Sequence, residues 1–270
     1  MNFKLAAFAD EAASALDDQL TAMKQNGVSL LEIRGVDGQN IADISPEKAK
    51  EIRKKTDDAG LEVWSLGSPF GKIGISDDFA PHLDSFKKAV ENAFILGAKH
   101  IRLFSFYGTS SIDPVLERLE SFIEAAKGSG IVLCHENEKG IYGDKASKCL
   151  EIHKALPELK AVFDPANFIQ CGQETKEAWA LLEQYVEYMH VKDALKDGSV
   201  VPAGKGEGEL PYLLQHYRGE VLTVEPHLTV FEGFEKLEGD QRSKLGKFVY
   251  PDSETAFSAA VNALKEIIRR

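Results

Sequence analysis

The chain switches repeatedly between two hydrophobic patterns. Short runs dominated by Val, Ile, Leu and Phe read as strands with little exposed surface on either face. They fall at Lys4–Ala9, Leu30–Arg34, Glu62–Leu66, His100–Phe104, Ile131–His135, Ala161–Phe163, Tyr188–Val191 and Val221–Val224. Between them apolar residues return every three or four positions, the spacing of amphipathic helices. That pattern predicts helices near Ala15–Asn26, Pro46–Ala59, Ala80–Leu96, Pro114–Ser129, Lys145–Leu156, Lys176–Tyr185 and Leu210–Tyr217, with a last one near Asp252–Ile268. Ser45-Pro46-Glu47 is a helix start with a cap and a first-turn proline. Asn26-Gly27, Ala59-Gly60, Leu96-Gly97 and Ser129-Gly130 mark helix ends just before the next strand.

Eight strand-then-helix units in strict alternation predict an α/β protein with a parallel sheet, and eight favour closure into a (β/α)8 barrel. No Gly-x-Gly-x-x-Gly follows the first strand, which weighs against a dinucleotide-binding sheet. No linker or low-complexity segment divides the chain, so residues 1–270 are expected to form a single domain. Two connections are long, Gly67–Asp78 and Thr229–Pro251. Both belong on the face where the strands end, where long loops tend to act as lids. In the second, Phe231, Phe234 and Phe248 are expected to anchor the loop to its own barrel.

Composition narrows the function. With 43% hydrophobic and 28% charged residues the chain can bury a full core and solvate its surface. A net charge of −11 argues against a nucleic-acid partner held by a general basic footprint. No apolar stretch is long enough to span a membrane, and the apolar N-terminus is too short for a signal peptide. Cys134, Cys149 and Cys171 lack metal-pair spacing and leave one unpaired, which fits a reduced, cytoplasmic setting. Cys134 lies in an apolar run and reads as core rather than nucleophile.

The candidate chemistry sits where strands end. Cys134-His135-Glu136-Asn137, Phe163-Asp164-Pro165, Met189-His190-Val191-Lys192-Asp193 and Val224-Glu225-Pro226-His227 each supply one ligand for a divalent metal. Glu136, Asp164, His190 and Glu225 are 28, 26 and 35 residues apart, about one strand-plus-helix unit each time. Taken singly, Asp164 is better read as a helix cap or turn former and His190 as a satisfied core histidine; the conjunction of four favours a metal. Glu136 and Glu225 follow apolar runs into a crowded barrel mouth, where an unpaired carboxylate is costly and a bound cation removes the cost. Three carboxylates and one imidazole suit Mn²⁺, Mg²⁺ or Co²⁺ better than a closed structural zinc, with Zn²⁺ as the alternative.

In their order on successive strands, these residues resemble the xylose isomerase-like TIM barrel superfamily, and more narrowly its sugar phosphate isomerase/epimerase group. Ser105-Phe106-Tyr107, the run His135 to Asp144, Phe163 to Phe168, His190-Val191-Lys192-Asp193 and Pro202 to Gly208 carry the same resemblance. It implies proton transfer beside a carbonyl through a metal-stabilised ene-diolate, with Glu136 and Glu225 as catalytic acid and base. Isomerisation or epimerisation of a monosaccharide or sugar phosphate is the first expectation. A dehydratase acting on a keto-sugar or inosose is the alternative, and a non-catalytic sugar-binding barrel the third. Lys192, Asp193, Asn167, His227, Tyr142 and Lys205 are the candidate substrate-binding residues. Against ketose 3-epimerases the chain departs at three substrate-holding positions, with Tyr142 for Glu, Asn167 for His and Lys196 for Arg. Only one of each adjacent pair on a strand, such as His135 and Glu136, is expected to face the site. Glu11, Glu32, Arg34, Arg102 and Tyr107 read equally as substrate contacts or as an ion-pair layer. The repair-endonuclease branch needs histidines at the tips of strands three and four, which are absent. Relatives commonly form dimers or tetramers, so a homo-oligomer is expected here as well.

Overall fold

The computed structural model describes residues 2–229, 244–245 and 247–269. Eight strands close into a barrel in chain order: β1 Lys4–Ala7, β2 Leu30–Ile33, β3 Glu62–Leu66, β4 His100–Leu103, β5 Val132–Glu136, β6 Lys160–Phe163, β7 Val186–Val191 and β8 Val221–Val224. All neighbouring pairs are parallel, and β1 closes onto β8 with Lys4 opposite Val221 and Ala7 opposite Val224.

The surrounding helices are α1 Leu16–Gln25, α2 Pro46–Ala59, α3 Ala80–Leu96, α4 Asp113–Ala126, α5 Ala146–Ala155, α6 Pro165–Gln170, α7 Thr175–Leu182, α8 Leu210–His216 and α9 Ser253–Arg269. At the head of α2 the Ser45 hydroxyl accepts from the Lys48 amide at 3.1 Å, and Pro46 occupies the first turn. Helix α6 is not among the helices expected from the sequence, although Asp164 taken singly reads as a helix cap. Asp164 caps it, accepting from the Asn167 amide at 3.0 Å.

Because side chains alternate along a strand, each strand divides between two environments. Leu31, Ile33, Ile101, Leu103, Leu133, Phe163, Met189, Val191, Leu222 and Val224 pack outward in one continuous core with Ile52, Phe86, Phe122 and Val261 of the helices. Ala6, Leu30, Cys134, Val162, Tyr188 and Val221 form a separate apolar layer inside the barrel, with Trp64 and Val132 against it. One pleat further along, the interior residues are Glu32, Arg102, Glu136, Asp164, His190 and Thr223, all buried. The barrel is therefore apolar below and charged at its mouth.

The loop after β3 is not a free lid. Phe104 donates to Phe70, Phe106 to Gly71 and Tyr107 to Ile73, and Ile75 donates back to Tyr107, all through the backbone. Gly71 has φ +90°, and a Cβ there would fall 2.0 Å from the Phe104 carbonyl oxygen, so the close approach requires glycine. Of the second long connection, Phe231 and Phe234 lie outside the described residues. Phe248 is exposed, at odds with an anchoring role, while Tyr250 packs against the core. Among the described residues no helix is long and apolar enough to cross a membrane.

Candidate metal centre and active site

Four strand ends deliver the four expected ligands to one place. A ring nitrogen of His190 and one oxygen each of Glu136, Asp164 and Glu225 all lie within 4.8 Å of one another, and all four residues are buried. The pleat explains the convergence: Glu136 stands two residues beyond Cys134, Asp164 two beyond Val162, and His190 two beyond Tyr188. His135 accordingly faces away, with Nε2 against the Ser105 hydroxyl at 2.9 Å, and burial holds its pKa well below the usual histidine value. Asn137 braces the next ligand by a reciprocal pair. Its side-chain amide donates to the Asp164 carbonyl and its oxygen accepts from the Asp164 amide, each at 2.9 Å.

His190 is clamped between carboxylates. Nε2 lies 3.1 Å from Glu32 Oε2, while Nδ1 lies 3.0 Å from Glu136 Oε1 and 3.6 Å from Glu225 Oε2. Glu32 also accepts from the Tyr188 hydroxyl at 2.7 Å. A carboxylate behind a histidine fixes its tautomer and directs the other nitrogen at a cation. Without a metal, a second ring proton must fill the Nδ1 side. Burial opposes that charge, but Glu136 and Glu32 outweigh it and raise the His190 pKa well above its ordinary value.

The other mouth charges form an ion-pair layer around this cluster. Arg34 pairs with Asp10 at 2.8 Å, Glu11 at 3.1 Å and Glu225 at 3.4 Å. Arg102 donates to Glu136 Oε2 at 3.1 Å and to the Ser68 carbonyl at 3.2 Å. Phe8 lies beneath both guanidinium groups, 4.4 Å from Arg34 and 5.3 Å from Arg102. The Lys192 ammonium sits 2.9 Å from both Asp164 Oδ2 and Glu225 Oε2. Burial still lifts the Asp164 pKa to about 7, with Lys192 opposing. Burial works the same way on Glu225, yet Lys192, His227 and His190 prevail and hold it well below the usual carboxylate range.

A divalent cation fits this donor set. Six carboxylates (Asp10, Glu11, Glu32, Glu136, Asp164 and Glu225) surround two guanidinium groups and one ammonium, leaving negative charge in excess. Asp164 Oδ2 accepts no hydrogen bond and has only the ion pair to Lys192.

The structure sorts the remaining candidates. Asn167 is in the site, its side-chain amide donating to the Asn137 carbonyl at 3.0 Å and reaching Glu136 Oε1 at 3.3 Å. His227 is there too, because φ +44° turns the chain back after Pro226. Its amide donates to Glu11 Oε2 at 2.6 Å, and its Nε2 lies 3.4 Å from Glu11 Oε1 and from Glu225 Oε1. Tyr142 points elsewhere, donating to Glu151 on α5 at 2.6 Å. Asp193 is turned into the loop that follows it, and Lys205 is exposed on that loop. Asp10, Asn137 and the cross-barrel role of Glu32 escape a linear reading. The signal for Glu32 is a charged residue inside an otherwise apolar strand.

The family model for the xylose isomerase-like TIM barrel matches residues 20–224. The chain belongs to this family. Among solved structures of similar fold, a D-allulose 3-epimerase from Methylomonas sp. is 15% identical, with a TM-score of 0.73 over 99% of this chain and 100% of that one. The probable 3-DHS dehydratase AsbF of Bacillus anthracis is 14% identical, with a TM-score of 0.73 over 98% of this chain and 99% of that one. The IOLI protein, solved with a bound zinc atom, is 16% identical, with a TM-score of 0.74 over 98% of both chains. At such identities the likeness is one of fold. No curated protein matches the sequence.

Proposed function

We propose that this barrel is a divalent-metal-dependent isomerase or epimerase of a monosaccharide or sugar phosphate, moving a proton at a carbon beside a carbonyl. The observation that carries the reading is the convergence of Glu136, Asp164, His190 and Glu225, with Glu32 orienting the imidazole from behind. These four residues would hold Mn²⁺, Mg²⁺ or Co²⁺, with Zn²⁺ as the alternative. When bound, such an ion polarises a carbonyl oxygen and stabilises the negative charge that grows there as the adjacent carbon loses its proton.

The chain's own groups supply the proton traffic. Glu136 and Glu225 enter from β5 and β8 and sit in unlike settings, one beside Arg102 and Asn167, the other between Lys192, Arg34 and His227. Two carboxyl groups with different neighbours are suited to act as base and acid in turn. Asn167 Oδ1 is buried without a hydrogen-bond partner, and it offers an acceptor to a substrate hydroxyl. His227, beside Glu11 and Glu225, offers a donor to a substrate oxygen.

A lyase reading stands second. The Glu11-held His227 could protonate a departing hydroxyl, and a dehydratase is among the barrels of like fold. Incubation of the metal-loaded protein in D₂O with ketoses, inososes and keto-sugars separates the readings. Isomerase or epimerase chemistry gives deuterium incorporation without loss of water; a dehydratase gives an absorbing enone. Glu136→Gln is expected to slow exchange at least about a hundredfold with an unchanged circular dichroism spectrum. Exchange at the wild-type rate in that variant would rule out Glu136 as acid or base.

A further inference from the structure

Barrels of this class commonly grip a substrate phosphate with backbone amides of the loops after strands seven and eight, and successive amides of a glycine-rich turn make an anion-binding nest. The loop Pro202–Gly208 after β7 forms such a nest, but its anion belongs to the protein. The amides of Gly204 and Gly206 donate to Asp193 Oδ2 at 2.9 and 3.0 Å, and those of Ala194 and Gly208 donate to Oδ1 at 2.9 and 2.8 Å. Asp193 is 1% exposed, and a Cβ at Gly206 would lie 2.3 Å from its Oδ1. The glycines are therefore needed to close the loop onto an internal carboxylate.

Among the described residues, five side-chain cations at the mouth are committed in the same way. Arg34, Arg102 and Lys192 face the carboxylates of the metal cluster and its surroundings, and Lys72 and Lys139 both pair with Glu138 at 3.1 and 3.3 Å. Among the described residues, a phosphate dianion entering this mouth would meet amides already filled by Asp193 and a surplus of carboxylates.

From this arrangement, and resting on the reading of the mouth as a sugar site, we infer that the substrate is an unphosphorylated, uncharged polyhydroxy carbonyl compound, with Asp193 as the built-in anion that closes the phosphate nest. Recognition then runs through hydroxyl groups and the metal, and phosphate esters are rejected by repulsion rather than by size.

The test uses the full-length, Mn²⁺-loaded protein and two probes. Solvent deuterium exchange is measured on free ketoses and keto-polyols alongside their phosphate esters, and inorganic phosphate binding is followed by ³¹P line broadening. We expect exchange into a free compound, with kcat/KM for its ester at least about a hundredfold lower, and no saturable phosphate binding in the millimolar range. Asp193→Gly frees the four amides and should create phosphate binding. Should that variant fail to fold, the two wild-type measurements decide alone. Preferred exchange into an ester, or saturable phosphate binding by wild type, overturns the inference and leaves the proposed function intact. No exchange into any compound, with metal bound and phosphate ignored, supports the closed nest while removing the isomerase reading.

Discussion

The interior of this barrel holds two layers with opposite chemistry. Below, Ala6, Leu30, Cys134, Val162, Tyr188 and Val221 fill the space with apolar groups. One pleat above, carboxylates, two guanidinium groups, an ammonium and an imidazole are packed at similar burial. Removing water from apolar surface stabilises the fold by about 25 cal/mol for each Å². Removing it from charges costs several kcal/mol per ion unless partners compensate. The lower layer thus contributes stability, and the upper one costs some while it holds the four candidate metal ligands together. Two buried aspartates sharpen the contrast. Asp193 meets four backbone donors, whereas Asp164 Oδ2 has only an ion pair, and Asp164 is the one placed among the four candidate metal ligands.

This division predicts that substitutions in the two layers move different observables. In the upper layer, Glu32→Gln removes the charge that orients His190, and divalent-metal affinity should fall about 10- to 100-fold by calorimetric titration, with little loss of thermal stability. Unchanged affinity would mean that Glu32 serves packing alone.

The pH dependence should follow the same line. His190 and Asp164 hold protons more tightly in the folded chain than in an unfolded one, Asp164 up to about 7. A raised folded pKa gives stability that is complete below the unfolded value and lost as pH rises through the folded one. The metal-free fold should therefore weaken from pH 6 to 8. Metal affinity should strengthen over that range, because the ion replaces those protons, by up to about tenfold per pH unit for each proton displaced. Titrations at three pH values check both signs.

The lower layer gives the smallest and most local effect. Val162→Ala should cost about 1–3 kcal/mol of stability by denaturant unfolding and leave metal affinity unchanged. A loss of metal binding in this variant would couple the layers and break the division.

Much of this division was legible in the sequence because it follows from periods of two and 3.6. The strand expectations for β3 and β8 match the structure, β5 shifts by one residue at both ends, and the others differ by one or two residues at one end. The four ligands could be read because each closes an apolar run. What could not be read is pairing across the barrel. Nothing near Glu32 in sequence shows that it meets His190, 158 residues on, through the interior. Helix α6, six residues long, is too short to show a period. Tyr142 is suggested by its offset from Glu136 and Lys205 by its place in a glycine-rich run, and the local chain turns both elsewhere: a hydroxyl bond to α5 takes Tyr142, and the Asp193-centred turn leaves Lys205 exposed.

The most direct test of the central claim is a divalent-metal titration of the purified, metal-stripped chain beside Glu136→Gln and Glu225→Gln, with bound metal confirmed by elemental analysis. The account predicts one ion of Mn²⁺ or Co²⁺ per wild-type chain, and binding lost or greatly weakened in both variants. No saturable binding by wild type, or equal binding by all three proteins, would contradict it.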